Sequence, residues 1–289
     1  MSLLSHSLDP RLKVNRMDLH TVETYLCPAT LEDVPSWQPG WAWVAGGTWM
    51  FTESQRDLTT LVDLQGLGWS ELEVTPAGLR IGATCTLNRL LQLDYPASWT
   101  AVSALHSAVQ ELASFKIQNV ATIAGNLCLA LPAGTFAPVM LLLDAQYEIL
   151  PQVGSSFWVA ARDFQTGARQ TLLQPGDVLR QIVIPEAMLH WRVNYRRLCV
   201  ATAGLAITLV VAAYHPPTGQ VRLAIAAALP APRLLAFQSI PTPSELEAAL
   251  QSHIPPGDWI EDERASARYR RQMTQVLMTR SLQSALEQA

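Results

Sequence analysis

Apolar residues are distributed along the first half of the chain in short runs and in stretches with helical spacing. Short apolar runs bounded by turn residues are typical of strands, and they predict strands over residues 18–25, 58–64, 71–74, 78–83 and 145–150. The helical stretches predict helices near Leu31 and over residues 86–93, 98–115 and 136–143. The longest of them places its apolar side chains on one stripe, Val102, Leu105, Val109 and Leu112.

The pattern changes after the turn residues Gln174-Pro175-Gly176-Asp177. Strands are predicted over residues 182–185, 204–213 and 220–229, and helices over about 244–251 and 262–286. Strands followed by helices, after a mixed region, indicate an α+β protein. We therefore expect an N-terminal extension over 1–16, a first domain over 17–176 with subdomains of about 17–70 and 71–176, and a C-terminal domain over 177–289.

The balance of residue types favours a subunit with partners over a free monomer. Hydrophobic residues make up 49% of the chain and charged residues only 15%, against about 25% charged residues in an average globular protein. A net charge of -4 argues against a nucleic-acid partner, which would require a clustered basic face. The densest basic run is expected to form the solvated face of a late helix, and it comprises Arg264, Arg268, Arg270 and Arg271.

Neither a membrane span nor a metal framework is expected. No apolar segment reaches the roughly 18–20 residues that a spanning helix needs, and residues 1–17 lack the apolar region of a secretory signal. The four cysteines are far apart and form no CxxC pair. Reduced thiols in the cytoplasm are the natural interpretation, so we expect a cytoplasmic protein.

Two segments are candidates for ligand binding. The first is Ala45-Gly46-Gly47-Thr48, where a predicted strand ends in residues whose backbone N–H groups can cradle phosphate oxygens. The second is residues 121–126, which combine small residues with the polar side chains of Thr122 and Asn126. Taken singly, the first segment is more simply an ordinary turn with a polar cap, and the second a turn between a helix and a strand.

Taken together, the two segments and their flanks resemble the FAD-binding subunit of the xanthine dehydrogenase and carbon monoxide dehydrogenase class of molybdenum hydroxylases. In that family a VAGGT-type loop and an ATIGGN-type loop embrace the FAD diphosphate. The resemblance continues through residues 61–91, 131–150 and 178–185 and into the C-terminal region, so that it covers about residues 17–285. It implies a two-subdomain FAD-binding fold of the p-cresol methylhydroxylase/vanillyl-alcohol oxidase type, followed by a small α+β domain with an antiparallel sheet and helices.

The resemblance also implies a set of cofactor-binding residues. The diphosphate would lie against the first segment and the residues beside it, Ala45, Gly46, Gly47, Thr48, Trp49 and Met50. Further phosphate and ribityl contacts would come from the second segment, Ala121, Thr122, Ala124, Gly125 and Asn126. Arg196 falls where some relatives place a cation near the flavin ring, although it is equally a surface arginine on a strand. Lys116 is more simply a surface lysine.

The chain departs from the family pattern at three positions. Ala124 stands where relatives usually have glycine, and Leu131 and Thr135 replace the Ser and the Asp of an SPxxD pattern. Thr135 can substitute for that Asp only as a neutral and weaker partner of the flavin. An alanine at position 124 costs about 1 kcal/mol if the backbone there requires a positive φ angle.

Three hypotheses follow for function. The first, implied by the resemblance, is an FAD-binding electron-transfer subunit that works with an iron–sulfur subunit and a molybdopterin-binding subunit and delivers electrons to NAD or another acceptor. The second is a scaffold or assembly protein that keeps the fold without flavin. The third is a self-contained FAD reductase, which would require a proton donor over the ring. His106, His190 and His215 form no catalytic or metal-binding pattern, and Asp63 is expected to accept backbone N–H groups.

Overall fold

The computed structural model describes residues 19–112, 114–202 and 204–288. The predicted extension over 1–16 lies outside the described residues. Helices and sheets are mixed along the chain, as the α+β prediction requires, and the sheets follow one another in three consecutive regions.

The first region is built on a parallel sheet with the strand order β1-β3-β2. Its strands are β1 (Thr24–Leu26), β2 (Trp41–Val44) and β3 (Thr60–Asp63), and short 3-10 helices follow at Leu31–Asp33, Met50–Thr52 and Leu64–Leu67. Because the strands are parallel, their carboxyl ends meet at one edge, where Val44 lies beside Asp63. The first candidate segment begins at this edge. The strand predicted over 18–25 is shorter in the structure, and among the described residues it begins only at Thr24.

The second region contains an antiparallel sheet covered by short helices. Its elements are β4 (Leu72–Thr75), β5 (Gly78–Gly82), α1 (Leu87–Gln92), α2 (Val102–Gln110), α3 (Phe115–Gln118), α4 (Ile123–Leu129), α5 (Ala137–Leu142), β6 (Gln146–Leu150), β7 (Phe157–Ala160), α6 (Ala161–Phe164), β8 (Gln165–Gly167), β9 (Gln170–Thr171), β10 (Val178–Pro185) and α7 (Glu186–Leu189). The helix predicted over 98–115 is shorter in the structure, where α2 covers Val102–Gln110 and the separate helix α3 begins only at Phe115. The stripe prediction holds in α2, where Val102, Leu105 and Val109 are buried.

Strand β10 lies at the centre of the second sheet, whose order is β4-β5-β10-β6-β7. Ile182 pairs with Ile81 on one side and with Tyr147 on the other. A domain boundary at 176 would remove this strand from both of its neighbours. Sheet membership therefore places the end of the second region after Pro185, about ten residues later than the boundary drawn from the turn at 174–177.

The third region is a four-stranded antiparallel sheet with two helices on one face. Its elements are β11 (Arg192–Cys199), β12 (Ala206–His215), β13 (Gln220–Ala226), β14 (Arg233–Phe237), α8 (Pro243–His253) and α9 (Ala267–Glu287). Strand β12 is buried on both faces, which explains why its buried residues are apolar apart from Thr208. Leu209 and Val211 pack into the large core shared with the second region, whereas Val210 packs into the smaller core under α8 and α9.

Arg270 joins α9 to the sheet and corrects the expectation of a fully solvated basic face. Its guanidinium group donates to the carbonyl oxygens of Ile207 and Ala227 and pairs with Asp262, while its side chain is only 1% exposed. Arg268 and Arg271 are exposed as predicted. A buried arginine is stable here because its hydrogen bonds and the Asp262 carboxylate replace the lost water.

Candidate cofactor site

The first candidate segment follows β2 at the carboxyl edge of the parallel sheet, and its two glycines are needed for different reasons. A Cβ atom on Gly46 would lie 2.1 Å from the carbonyl oxygen of Val120, so the segment packs backbone to backbone against the residues that precede the second segment. Gly47 has a φ angle of +64°, and a Cβ atom there would meet the ring of Phe51.

The second candidate segment is the start of a helix, not the turn that the sequence suggested. Thr122 is the N-cap of α4 and accepts a hydrogen bond from the backbone N–H of Gly125 at 3.0 Å. The Thr-x-x-Gly spacing was the available signal for this cap. The first N–H groups of a helix lack intrahelical acceptors, so this end of α4 offers donors to a ligand.

Ala124 is compatible with this geometry. It lies in the first turn of α4, and it is absent from the non-glycine residues of positive φ in the described chain, Ala130, Asp144, Arg169 and Ala227. Its side chain is only 4% exposed and packs in the large core. The strain that an alanine would suffer at a left-handed position therefore does not arise.

The two segments form adjoining walls of a cleft of about 560 Å³, within the roughly 300–1,000 Å³ typical of cofactor pockets. Every predicted site residue lines this cleft except Arg196. Further lining residues that the sequence did not single out include Glu111, Cys128, Arg169, Asp177, Leu179 and Arg197. The structure thus brings together segments that lie about 75 residues apart along the chain.

Polar atoms in the cleft are left for a ligand to satisfy. Thr135 is only 7% exposed, yet its hydroxyl group has no hydrogen-bond partner within the protein, and the side-chain oxygen of Asn126 is equally unpartnered. A buried polar atom without a partner costs about 1–3 kcal/mol. At Gly125 an added Cβ atom would occupy the space between Thr122 and Ala45, which is the gap between the two walls. Unpartnered oxygens, amide donors and a glycine-lined gap fit a ligand that carries phosphates as well as hydrogen-bonding rings.

Strand alternation decides which arginine reaches the cleft. On β11 the side chains of Asn194 and Arg196 point toward α9, where Arg196 donates to the Ser284 hydroxyl at 2.9 Å. Arg197 lies on the opposite face and lines the cleft. It pairs with Glu111 and donates to the carbonyl oxygens of Gly204 at 3.0 Å and Thr202 at 2.8 Å. The structure therefore places Arg197, and not Arg196, in the lining of the cleft.

A second arginine lies at the tip of the β8–β9 hairpin. Arg169 has a φ angle of +57°, and its backbone N–H donates to the carbonyl oxygen of Ala130 at the end of α4. Its guanidinium group binds both carboxylate oxygens of Glu53, at 2.7 and 3.2 Å. The hydrogen bond from Arg169 lowers the pKa of the Glu53 carboxyl. This pair joins the first region of the fold to the second.

The remaining titratable groups of the cleft are engaged or neutral. Asp177 accepts the backbone N–H of Gln174 at 2.9 Å, and Glu111 is paired with Arg197. Cys128 lines the cleft, where its side chain is exposed, and a thiol without a neighbouring cation or metal is protonated at neutral pH. No histidine belongs to the described lining of the cleft.

The other residues considered from the sequence lie in structural positions. His106 bonds the carbonyl oxygen of Leu90, His190 lies against Glu186, and His215 stacks on Trp191. Asp63 accepts the backbone N–H of Gln65 at 2.8 Å, as expected. Lys116 is exposed. Among residues 19–288, apart from 113 and 203, no cluster of His, Cys, Asp or Glu has the arrangement of a metal site, and no helix is long and apolar enough to cross a membrane.

A parallel three-stranded sheet, an antiparallel sheet and a glycine-lined cleft define an α+β fold whose cleft is suited to an extended ligand that carries phosphates. The profile of the family described as "FAD binding domain in molybdopterin dehydrogenase" matches residues 19–187, more than half of the chain. The chain belongs to this family of oxidoreductase components, and its cofactor is FAD.

Individual relatives agree with this assignment. The chain is 27% identical over 245 residues to the carbon monoxide dehydrogenase medium chain of Afipia carboxidovorans, covering 81% of each protein. It is 28% identical over 240 residues to the aldehyde oxidoreductase FAD-binding subunit PaoB of Escherichia coli, covering 65% of this chain and 74% of that one. The match to the xanthine dehydrogenase/oxidase of Gallus gallus, 26% identical, covers 47% of this chain but only 11% of that longer protein.

Solved structures share the whole fold. A chain of the Cu,Mo-CO dehydrogenase in its cyanide-inactivated form superposes with a TM-score of 0.79 at 22% identity, covering 91% of this chain and 98% of that one. A chain of quinoline 2-oxidoreductase from Pseudomonas putida 86 superposes with a TM-score of 0.75 at 21% identity, covering 91% and 96% respectively. The architecture therefore extends beyond the matched family region and includes the third sheet with its helices.

Proposed function

We propose that this chain is the FAD-binding electron-transfer subunit of a molybdenum-hydroxylase-type oxidoreductase. In this role it accepts electrons from an iron–sulfur partner subunit and delivers them to NAD or another acceptor. The observation that carries the proposal is the cleft itself, in which the predicted segments meet and leave the Thr135 hydroxyl and the Asn126 oxygen without protein partners.

The side chains of the cleft bind and orient, and bound FAD supplies the redox chemistry. The amide groups of residues 46–48 and of the start of α4 would hold the diphosphate. Thr135 and Asn126 would bond polar groups of the cofactor. Arg197 fixes Thr202 and Gly204 beside the cleft through its bonds to their carbonyl groups.

The state of the carboxylates favours an electron relay over a self-contained reductase. A reductase that acts on an organic substrate requires a proton donor above the ring. The carboxylates of the cleft lining, Glu111 and Asp177, are each committed to a structural partner, and the described lining contains no histidine. Passing electrons onward places no such demand on the side chains.

The relatives indicate what the subunit would assemble with. Two of them are named as a medium chain and as an FAD-binding subunit, which are parts of larger assemblies. An iron–sulfur subunit and a molybdopterin-binding subunit are therefore the proposed partners. The low share of charged residues, 15%, agrees with a surface that is partly covered in an assembly.

Reconstitution with FAD tests the proposal directly. The purified chain should bind FAD at close to one molecule per chain and become yellow. It should also co-purify with its iron–sulfur partner when the two are expressed together. In the assembled complex, reduction of the iron–sulfur partner should bleach the flavin absorbance, and adding the correct acceptor should restore it. A colourless protein that takes up no FAD would instead support the scaffold hypothesis.

A further inference from the structure

With their present partners, the charged side chains of the cleft leave no net positive charge to balance a dianionic ligand. The charged residues of its lining are Glu111, Arg169, Asp177 and Arg197, whose formal charges cancel. FAD carries its negative charge on the diphosphate. Backbone N–H groups and a helix start contribute only partial positive charge. A diphosphate binds most tightly when at least one positively charged side chain has hydrogen-bond donors free to contact its oxygens.

Arg169 is the arginine of the described lining that can supply this cation. Arg197 is held by three partners, the Glu111 carboxylate and the carbonyl groups of Thr202 and Gly204. Arg196 lies on the other face of β11. The guanidinium of Arg169, by contrast, is half exposed, and the structure gives it a single partner, Glu53.

The surroundings of Arg169 allow its side chain to change partner while its backbone stays fixed. The backbone is held by the bond from its N–H to the Ala130 carbonyl oxygen, at 2.8 Å. Both members of the ion pair are open to water, with side-chain exposures of 51% for Arg169 and 37% for Glu53. Pairs this exposed contribute little to stability, so they are readily exchanged. Glu53 follows directly after the turn that ends the first wall of the cleft.

We propose that Arg169 is a diphosphate-binding residue that exchanges Glu53 for the phosphate oxygens when FAD enters, and that Glu53 is an internal competitor which lowers FAD affinity. The inference rests on the proposed binding of FAD in this cleft. It assigns a direct cofactor-binding role to Arg169 and an opposing role to Glu53. The alternative explanation of the same contact is that the Arg169–Glu53 ion pair stays formed and closes the cleft over the bound cofactor.

The sign of the effect of Glu53→Gln separates the two roles. If Glu53 competes with the diphosphate, Glu53→Gln frees Arg169, and FAD should bind about two- to fivefold more tightly. If the pair instead closes the cleft, the same substitution should weaken binding. Arg169→Gln should weaken FAD binding about ten- to a hundredfold, because a charge-assisted contact is lost. In the double variant Glu53→Gln should no longer have any effect, since it acts through Arg169.

Binding is measured on the full-length apo chain by quenching of flavin fluorescence, with FAD and riboflavin as probes. Riboflavin has no phosphate, so Arg169→Gln should leave its affinity unchanged. Arg162→Gln is the matched control, because Arg162 is another exposed arginine in an ion pair but does not line the cleft. Arg169→Lys keeps the charge and should retain most of the FAD affinity. It also serves as the informative variant if Arg169→Gln fails to fold, which thermal melting of the apo chain would show.

The inference is overturned if Glu53→Gln weakens FAD binding, or if Arg169→Gln weakens FAD and riboflavin equally. It is also overturned if the effects of the two substitutions simply add. Failure of the unmodified chain to bind FAD at all is a separate result. It would remove the proposed function itself, and this inference with it, before any variant is compared.

Discussion

Alanine in place of Gly46 would put a methyl group against the neighbouring segment of the protein. Its Cβ atom would lie 2.1 Å from the Val120 carbonyl oxygen and 2.8 Å from the carbonyl carbon. Both are backbone atoms, so no side chain can rotate away. The two walls of the cleft must move apart by about 1 Å to reach ordinary contact, since cores and close backbone contacts yield little.

Overpacking of this kind costs about 1–3 kcal/mol. In a chain of this size such a loss lowers the melting temperature by roughly 2–10 °C. Separating the walls also misplaces the amide donors of the first segment relative to α4. FAD affinity should therefore fall by about tenfold or more, each factor of ten corresponding to about 1.4 kcal/mol.

The decisive assay is thermal melting of Gly46→Ala without FAD, followed by FAD titration of the same sample. The loss of stability should be present in the apo chain, because the clash is within the protein. Gly257→Ala is the control, since an added Cβ atom there meets nothing within 4 Å and no positive φ is involved. Unchanged apo stability with a loss confined to FAD binding would refute this reasoning, and would mean that Gly46 serves the ligand and not the contact between walls.

Three further predictions concern other parts of the site and fold. Thr135→Val removes a hydroxyl that lacks a protein partner, so the apo chain should melt at the same or a higher temperature, while titration shows FAD affinity falling about tenfold. Arg197→Gln should weaken FAD binding and increase proteolysis near residues 200–204, whereas Arg196→Gln should leave FAD affinity unchanged; equal effects would contradict the assigned faces of β11. Partial burial acts to raise the pKa of Asp262, but hydrogen bonds from Arg264 and Arg270 lower it to about 2. Because the pKa is depressed in the folded state, this stabilisation is present above about pH 4 and is lost as the pH falls toward 2. Urea unfolding should show about 1 kcal/mol of pH-dependent stability in this range, allowing for solvent screening, that is missing in Asp262→Asn.

Much of the secondary structure follows from local patterns. The hairpin of β4 and β5 was predictable because a Thr-Pro-Ala-Gly turn separates two short apolar runs. Strand β12 was predictable because its long apolar run is interrupted only by Thr208. Twelve predicted site residues, those of the two binding segments together with Thr135, line one cleft. They could be assigned from the sequence because the resemblance covers almost the entire chain.

The remainder depends on long-range pairing that no local pattern contains. The position of β10 between β5 and β6 is set by pairing with strands about 30 and 100 residues earlier. The choice between Arg196 and Arg197 requires the register of β11, because neighbouring residues face opposite sides of a strand. Glu53 and Arg169 are 116 residues apart, and neither position carries a signal of its own. Helix α4 was missed because glycine and asparagine are weak helix formers, although its Thr122 cap was visible.

The two-sided burial of β12 has a consequence for how this chain can evolve. One face of the strand completes the core beneath the cofactor domain, and the other completes the core beneath α8 and α9. Helix α5 packs directly on β12 and β13, and the Ala227 amide bonds the Pro132 carbonyl oxygen. The matched region that ends at residue 187 therefore shares its buried core with the C-terminal part of the chain. Exchange of the C-terminal part between relatives would succeed only when the buried residues on both faces of this strand are inherited together.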